Sequence, residues 1–281
     1  MEMEHRSDNR NRPAAERNGS QSADRALAVL DLLGDAGQEL GVREIARELA
    51  LAPSIVQRMI KTLSDRGYVE RGPGGQKYRV GYRAFQVGRS YLADSDLHAA
   101  SLPELRTMAE RDQINAYLGV LRGGSIVYLE ALQSKGPIAI TSTPGSSAPL
   151  HSTAFGKALL AELPDAEIAG ALGPEPFQRL TPKTKTTLRE FMQEVEEIRR
   201  SGYAISDEEN IEGVFAVGAV IRDTSGQAVA SISGAVPRHQ LQSEGIHNLC
   251  RIVADAGQRI SRRLGASPAM LRTPRAVPQS T

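Results

Sequence analysis

The stretch GVREIARELALAPSIVQRMIKTLSDRGYVERGPGGQKYRVG, residues 41–81, decides the fold of the N-terminal part of this chain. Its first half contains two runs in which apolar residues recur at helical spacing, and a short turn separates them. Two helices joined by so short a turn cross at a steep angle. Its second half contains two short strand-like segments around a Gly-Pro-Gly-Gly turn, which is typical of a β-hairpin. The stretch therefore predicts a helix-turn-helix followed by a hairpin wing.

Three predicted helices precede the hairpin, and each has one apolar face. The first begins near Ser22 or Asp24, which are common N-cap residues, and the third begins at Pro53, which suits a first helical turn. Gly67 marks the end of the third helix. The predicted buried residues are, helix by helix, Ala26, Val29, Leu30 and Leu33; Val42, Ile45, Ala46 and Leu49; and Val56, Met59, Ile60 and Leu63.

Positive charge is concentrated in the third helix and the hairpin. Residues 53–83 hold seven Lys or Arg and two acidic residues, a net charge of +5, whereas the net charge of the whole chain is +1. A local basic surface indicates a polyanionic partner, and a basic face that only contacts solvent is the plain alternative. The helix spacing, the hairpin and the charge together favour a winged helix that binds double-stranded operator DNA.

Base recognition is expected from the N-terminal half of the third helix. Gln57 and Arg58 there offer groups that pair with adenine and guanine in the major groove. Lys77 and Arg79 on the wing are expected to contact phosphates, which position a protein on DNA without reading its sequence. The candidate DNA contacts are Arg25, Arg43, Ser54, Ile55, Gln57, Arg58, Lys61, Lys77 and Arg79.

The composition of the whole chain limits its class. With 281 residues, of which 40% are hydrophobic and 24% charged, the chain is long enough for two cored domains. Cys250 is the single cysteine, so an internal disulfide and a zinc–thiolate cluster are both excluded. The sequence has no apolar run of membrane-spanning length and no signal peptide. We therefore expect a cytoplasmic protein without a membrane partner.

The second half of the chain follows a helical linker, which is predicted over residues 84–111. The first linker helix has an apolar stripe that serves either dimer contacts or packing against the chain's own domains, and the second helix is expected to start at Pro103. From Ile114 onward, short alternating strands, three helices and a long final helix over residues 239–265 predict a second domain. The apolar stripe consists of Phe85, Val87, Gly88, Tyr91 and Leu92.

Five stretches in this order make the chain resemble the IclR-type bacterial transcription regulators. The resemblance extends over residues 22–264 and depends on the following segments: RALAVLDLL at 25–33, TLSDRGYV at 62–69, KYRVG at 77–81, PLHSTAFGKALLA at 149–161 and GYAISDEEN at 202–210. It implies an α+β protein in which a winged helix-turn-helix precedes a GAF-like antiparallel-sheet domain that binds a small effector. It also implies a homodimer or a dimer of dimers on palindromic operators.

Under this resemblance we expect the chain to repress a catabolic operon. We also expect it to consist of five segments. These are a disordered arm at 1–21, the winged helix-turn-helix at 22–83, the linker at 84–111, the effector-binding domain at 112–265 and a disordered tail at 266–281. Carried over by position, the effector-binding residues are Ala154, Phe155, Ser206, Ala216, Ser233 and Ala235.

Several of these positions depart from the family pattern. Ala216 stands where many members have Cys, Ser206 where some have Asp, and Phe155 where a small residue is usual. Each change removes a polar partner or adds apolar volume, so an aromatic metabolite is expected to fit better than a small keto acid. Phe155 would then stack on the ligand and Ser233 would hydrogen-bond to it, although Phe155 could also simply fill the core.

The sequence contains no motif that indicates an enzyme active site. Gly156-Lys157 lacks the rest of a phosphate-binding loop, so Lys157 is interpreted as a surface or capping residue. No nucleophile elbow is present, and His151 is interpreted as structural. The acids at 207–212 lack the spacing of a calcium loop and predict a solvated loop, so no metal or cofactor is expected. A metabolite-binding enzyme or sensor whose winged helix contacts protein remains the alternative function.

Overall fold

The computed structural model describes residues 20–93, 95–135 and 142–271. These residues divide into two units, 20–93 and 95–271. The predicted linker is split between them, with its first helix in the first unit and its second helix in the second. Residues 1–19 and 272–281, which make up most of the predicted disordered segments, lie outside the described residues. No helix in the described part of the chain is long and apolar enough to cross a membrane.

The first unit has the predicted helix-turn-helix and hairpin. Its elements in chain order are α1 Gln21–Asp35, α2 Val42–Glu48, α3 Pro53–Asp65, β1 Val69–Arg71, β2 Tyr78–Val80 and α4 Tyr82–Ala93. The predicted apolar faces are confirmed, since each predicted residue is buried or packs half-buried against the same core. The core of this unit is therefore built from one face of each of its first three helices.

The wing is attached to the helices by its second strand. Leu40 and Tyr78 exchange two backbone hydrogen bonds of 3.0 and 2.8 Å, which join β2 to the segment that precedes α2. Tyr78 is buried in the helical core. Gly81 is required where the chain leaves the hairpin, because a Cβ atom at this position would lie 2.3 Å from the carbonyl oxygen of Gly67.

Helix α4 presents the predicted apolar stripe to solvent. Phe85 is 67% exposed, and Val87 and Tyr91 are about half exposed. Tyr82, at the start of the same helix, is also exposed. Large exposed apolar side chains on one helix are unusual in a monomer, since burial of such groups is favourable.

The second unit contains a curled antiparallel sheet with helices. Its elements are α5 Asp96–Arg106, β3 Asn115–Arg122, β4 Ser125–Leu132, β5 Ser147–Ala148, α6 Ala154–Leu160, α7 Asp165–Leu172, α8 Leu188–Ser201, β6 Ala204–Asp207, β7 Val214–Arg222, β8 Ala228–Pro237 and α9 Ser243–Arg263. The described strands are ordered β5-β4-β3-β8-β7-β6. The expected α+β fold, with an antiparallel sheet in the second domain, is confirmed.

Glycines allow helices to approach both faces of this sheet. Gly257 on α9 lies so close to β7 that a Cβ atom there would be 3.1 Å from the carbonyl oxygen of Val220. On the other face, a Cβ atom at Gly218 of β7 would lie 2.5 Å from the peptide nitrogen of Phe155, in the first turn of α6. The central strands are therefore covered by α9 on one side and by the start of α6 on the other.

The predicted start of the second linker helix at Pro103 is wrong. Helix α5 begins at Asp96, because the hydroxyl of Ser95 accepts a hydrogen bond from the backbone N–H of His98 and caps the first turn. Pro103 lies inside this helix. Helix α1 starts at Gln21, one residue before the predicted start of the winged helix-turn-helix at 22. In the predicted disordered tail, residues 266–271 are described and include a 3₁₀ turn at Pro268–Met270.

Candidate functional site

The outer face of α3 presents polar and basic side chains. Ser54, Gln57, Arg58 and Lys61 are exposed, whereas the intervening apolar residues are buried in the core of the unit. Ile55 differs from the prediction that it faces outward, because it is half-buried and packs against the core. The remaining α3 candidates form one polar, exposed surface on a helix, as a reader of the major groove requires.

The basic residues of the wing are already paired within the unit. Lys77 Nζ lies 3.2 Å from a carboxylate oxygen of Glu44, and Arg79 lies 2.8 Å from Glu70. The hydrogen bonds from Gly41 N–H and from Lys77 hold the pKa of Glu44 below its usual value. Such exposed pairs contribute little free energy, so a phosphate group can replace the carboxylate as partner. These acids therefore reduce the effective charge of the wing.

The two helix candidates that precede α3 differ in exposure. Arg43 on α2 is exposed, and Arg25 on α1 is half-buried. Both carry a positive charge that can approach a phosphate group.

A pocket in the second unit brings together all of the predicted effector residues. Ala154 and Phe155 come from the first turn of α6, and Ser206, Ala216 and the β8 residues line the sheet side. Its open volume, with the mouth included, is about 420 Å³. Sequence reasoning missed the other lining residues, which are Tyr117, Tyr128, Ser142, Thr153, Asn210, Ile211 and Val214.

Three aromatic rings form one wall of this pocket. Tyr117 and Tyr128 meet edge to face with ring centres 5.7 Å apart, and Tyr128 meets Phe155 in the same way at 5.2 Å. Gly119 leaves room for the Phe155 ring, because a Cβ atom there would lie 2.9 Å from it. Phe155 is only 4% exposed, so it fills the core as well as lining the pocket. Edge-to-face pairs of this kind stabilise one another beyond simple burial.

The hydroxyl groups of the pocket are hydrogen-bonded to nearby backbone. Ser233 donates to the carbonyl oxygen of Val217 at 2.9 Å, and Ser206 donates to that of Ser152 at 2.6 Å. Thr153 donates in the same way to the carbonyl oxygen of Pro149 at 2.6 Å. The three hydroxyl oxygens therefore keep lone pairs free to accept hydrogen bonds, while their protons are in use.

The two tyrosines of the pocket disfavour negative charge. Burial raises the pKa of Tyr117, and the neighbouring Tyr128 raises it further. Burial likewise raises the pKa of Tyr128, which a hydrogen bond with Ser142 offsets in part. Both phenols are neutral at physiological pH, as expected where an anion loses more hydration than it gains in hydrogen bonds.

A cluster of four charged side chains is centred on a buried lysine of α6. Lys157 on α6 is fully buried, and its Nζ atom lies 2.6 Å from Glu194 on α8 and 2.8 Å from Glu209 in the acidic loop. Lys185 contacts the same two carboxylates at 2.8 and 3.1 Å. The interpretation of Lys157 as a surface or capping residue is therefore wrong, because two positive and two negative charges compensate one another inside the domain.

The acidic loop is held from a second side by the segment 181–185. The hydroxyls of Thr181 and Thr184 donate to the carbonyl oxygens of Glu208 and Glu209, each at 2.6 Å. Lys183 is paired with the carboxylate of Glu208. The prediction of a solvated loop is wrong for Glu208 and Glu209, since side chains from α6 and from the segment 181–185 fix them.

The loop contributes directly to the pocket. Asn210, which follows Glu209, lines the pocket, and its side-chain oxygen accepts a hydrogen bond of 3.1 Å from Ser152. Asp207, at the other end of the loop, is paired with Arg238 at 2.9 Å. These ion pairs and hydrogen bonds therefore fix the position of a residue that lines the pocket.

The interpretation of His151 as structural is confirmed, and the single cysteine is also a core residue. His151 is buried with its Nε2 atom 2.9 Å from the carbonyl oxygen of Gln178, and burial lowers the pKa of its ring. Cys250 is buried in α9, where burial raises the pKa of its thiol to about 11. Among the described residues, no group of three or more His, Cys, Asp or Glu side chains is arranged to hold a metal ion.

Two family models match the two units. The model of the IclR helix-turn-helix domain matches residues 22–73, and the model of the C-terminal domain of the bacterial transcriptional regulator IclR matches residues 89–262. The chain belongs to the IclR family of bacterial transcriptional regulators. Members of this family regulate transcription through a DNA-binding domain and a ligand-binding domain, and we assign this chain the same ligand-responsive role.

Named relatives cover nearly the whole chain. The regulator BhcR of Paracoccus denitrificans is 32% identical over 88% of this chain and 88% of its own length. The repressor AllR of Klebsiella pneumoniae is 27% identical over 91% of this chain and 94% of its own. The structure of an IclR homologue from Microbacterium hydrocarbonoxydans in complex with 4-hydroxybenzoate matches with a TM-score of 0.75 and 24% identity, over 88% of this chain and all of that one.

Proposed function

We propose that this IclR-family regulator is a cytoplasmic repressor of a catabolic operon and that a small aromatic metabolite changes its affinity for operator DNA. A ligand acts in this way only through a difference in its affinity for two states of the protein. The observation that carries the ligand class is the pocket wall formed by Tyr117, Tyr128 and Phe155.

The pocket suits an aromatic ring in both shape and chemistry. An aromatic ring fits beside three rings that already meet edge to face, since such pairs contribute about 0.5–1.5 kcal/mol beyond burial. Ala216 and Ala235 supply apolar surface on the sheet side. The Microbacterium homologue holds 4-hydroxybenzoate, which is an aromatic compound, and its fold is shared with this chain.

Repression and the dimeric state have separate support. The relative AllR is named as a repressor. The exposed stripe on α4, with Phe85, Val87 and Tyr91, fits a second copy of this chain, because pairing of two such helices removes apolar surface from water. A two-fold dimer would present two α3 helices to the half-sites of a palindromic operator.

The test combines DNA binding and ligand release. We first expect the purified protein to protect a palindromic site upstream of its own gene in a footprint. Small aromatic compounds are then expected to release this DNA and to raise the melting temperature, whereas pyruvate and glyoxylate do neither. Phe155→Ala should keep the operator affinity measured without ligand and require more of the aromatic compound for release.

Two results would contradict the proposal in different ways. Release by the keto acids alone would remove the aromatic ligand class, and Phe155 would then be a core residue only. Absence of any protected DNA, together with retention of a protein partner by the first unit, would favour the alternative in which the winged helix contacts protein.

A further inference from the structure

We infer that the ligand of this pocket is uncharged when bound and donates a hydrogen bond to Ser233, as a phenol or an aromatic alcohol does and a carboxylate does not. The inference rests on the proposed aromatic ligand and narrows its chemical class. It concerns the direction of the hydrogen bond between ligand and pocket and the charge of the ligand that the pocket accepts.

The first step is the direction of the hydrogen bonds. The hydroxyls of Ser206 and Ser233 are almost completely buried, and each donates its single proton to a backbone carbonyl oxygen. Thr153 does the same. A hydroxyl whose proton is in use can only accept a further hydrogen bond, so these oxygens require a donor on the ligand. A carboxylate has no proton to donate and would leave them unsatisfied.

The second step is charge. The side chains that line the pocket include no Lys, Arg or His among the described residues. Residues 136–141, which lie outside them, contain no ionisable side chain. The cation of α6, Lys157, is paired with Glu194 and Glu209. An ionised carboxylate in this pocket would therefore lose its hydration without gaining an opposite charge.

The third step is the state of the tyrosines that share the pocket. Burial raises the pKa of both Tyr117 and Tyr128, so the surroundings already oppose a negative charge on two phenol groups at this position. A neutral hydroxyl on the ligand meets no such penalty. The side-chain nitrogen of Asn210 offers an N–H donor at the pocket wall, and a ligand hydroxyl oxygen can accept from it.

The experiment compares ligands of similar size that differ in one property. Phenol has a hydroxyl donor and no charge, fluorobenzene has neither, and benzoate is an anion. With the full-length protein, calorimetric titration should show phenol binding about 2- to 10-fold more tightly than fluorobenzene, as expected for one net hydrogen bond. Benzoate should bind more weakly than phenol by on the order of 100-fold.

Two substitutions test the residues that we assign. Ser233→Ala should bring the affinity for phenol close to that for fluorobenzene, which should stay unchanged, since the ligand loses only an acceptor. Asn210→Asp keeps the size of the side chain and its oxygen toward Ser152, and it adds negative charge at the wall. Phenol should still bind to this variant, whereas any residual binding of benzoate should disappear.

The outcomes separate this inference from the proposed function. If benzoate bound as tightly as phenol, the inference of an uncharged, hydrogen-bond-donating ligand would be wrong, whereas the proposed aromatic ligand class would still hold. An unchanged preference for phenol in Ser233→Ala would overturn the assigned acceptor. Binding of pyruvate with no binding of the three ring compounds would overturn the proposed aromatic function, and the inference would fail with it.

Discussion

Lys157 Nζ lies 2.8 Å from Glu209 Oε1, and both side chains are buried within the second unit. Glu194 and Lys185 complete the cluster, so its net charge is zero when all four groups are ionised. Asn210 follows Glu209 directly and lines the pocket. The pair therefore links the start of α6, which forms one side of the pocket, to the loop that forms another.

Loss of the central cation is expected to be costly. Lys157→Met should lower the free energy of unfolding by about 3 kcal/mol, because the buried Glu209 and the half-buried Glu194 then retain Lys185 but lose their buried cation. Urea denaturation of the full-length chain measures the change. Lys183→Met is the matched control, since Lys183 is more than half exposed and its ion pair should contribute at most about 1 kcal/mol. Equal effects of the two substitutions would contradict the role of burial.

The same cluster predicts a loss of stability in acid. Burial raises the pKa of Glu194, but the charges and hydrogen bonds of Lys157 and Lys185 outweigh it, and the pKa lies below the usual 4.5. A carboxyl group with a lowered pKa in the folded state stabilises the fold above its unfolded pKa and stops doing so as the pH falls through its folded pKa. Stability should therefore fall as the pH drops below about 4.5.

Glu194→Gln isolates this contribution. The variant should be less stable than the wild type at neutral pH, and the difference should shrink in acid, where the carboxyl group is protonated. Melting temperatures measured between neutral pH and about pH 3 test this. A difference that is independent of pH would show that ionisation of Glu194 does not contribute.

Substitutions on the DNA-binding surface should weaken DNA binding in two different ways. Arg58→Ala should weaken binding by about 1–3 kcal/mol and relax the base preference at one operator position, because a base contact is removed. Lys77→Ala should weaken binding on every sequence and lower the salt dependence by about one phosphate contact. Titrations of the protein's own upstream site and of random DNA at several salt concentrations separate the two. Wild-type base preference in Arg58→Ala would exclude α3 as the reader.

The exposed stripe of α4 predicts a self-association surface. Phe85→Glu should weaken the dimer, because a charge then has to be buried among apolar side chains. Gln86→Glu introduces the same charge on the neighbouring exposed position of the helix and should leave the dimer intact. Sedimentation equilibrium of the full-length protein measures both. If the wild type were monomeric, or if both variants dissociated equally, the α4 stripe would not be the self-association surface.

The sequence is sufficient for the helix-turn-helix, because its buried positions follow the helical period within single elements, as Val56, Met59 and Ile60 do. The buried charge of Lys157 was missed because its partners come from α8 and from a loop 52 residues away. One local signal existed, since α6 is apolar on every side apart from this lysine, and such a helix is buried. The family resemblance was sufficient to place Phe155 and Ser233 in the pocket. The tyrosine wall could not be predicted in this way, because Tyr117 and Tyr128 meet only through the pairing register of β3 and β4.

The close packing of α6 on β7 beside the pocket predicts the effect of one added methyl group. A Cβ atom at Gly218 would lie 2.5 Å from Phe155 N and from the carbonyl carbon of Ala154, which are backbone atoms that cannot rotate away. Gly218→Ala should therefore displace the start of α6, lower the free energy of unfolding by about 1–3 kcal/mol and reduce the ligand response. Gly170→Ala is the control, because Gly170 is exposed on α7 with no atom within 4 Å of the added Cβ. This control should raise stability by about 0.5–1 kcal/mol, since alanine favours the helix, and it should keep the response. If Gly218→Ala retained the wild-type melting temperature and ligand response, the packing of α6 on β7 would not determine the shape of the pocket.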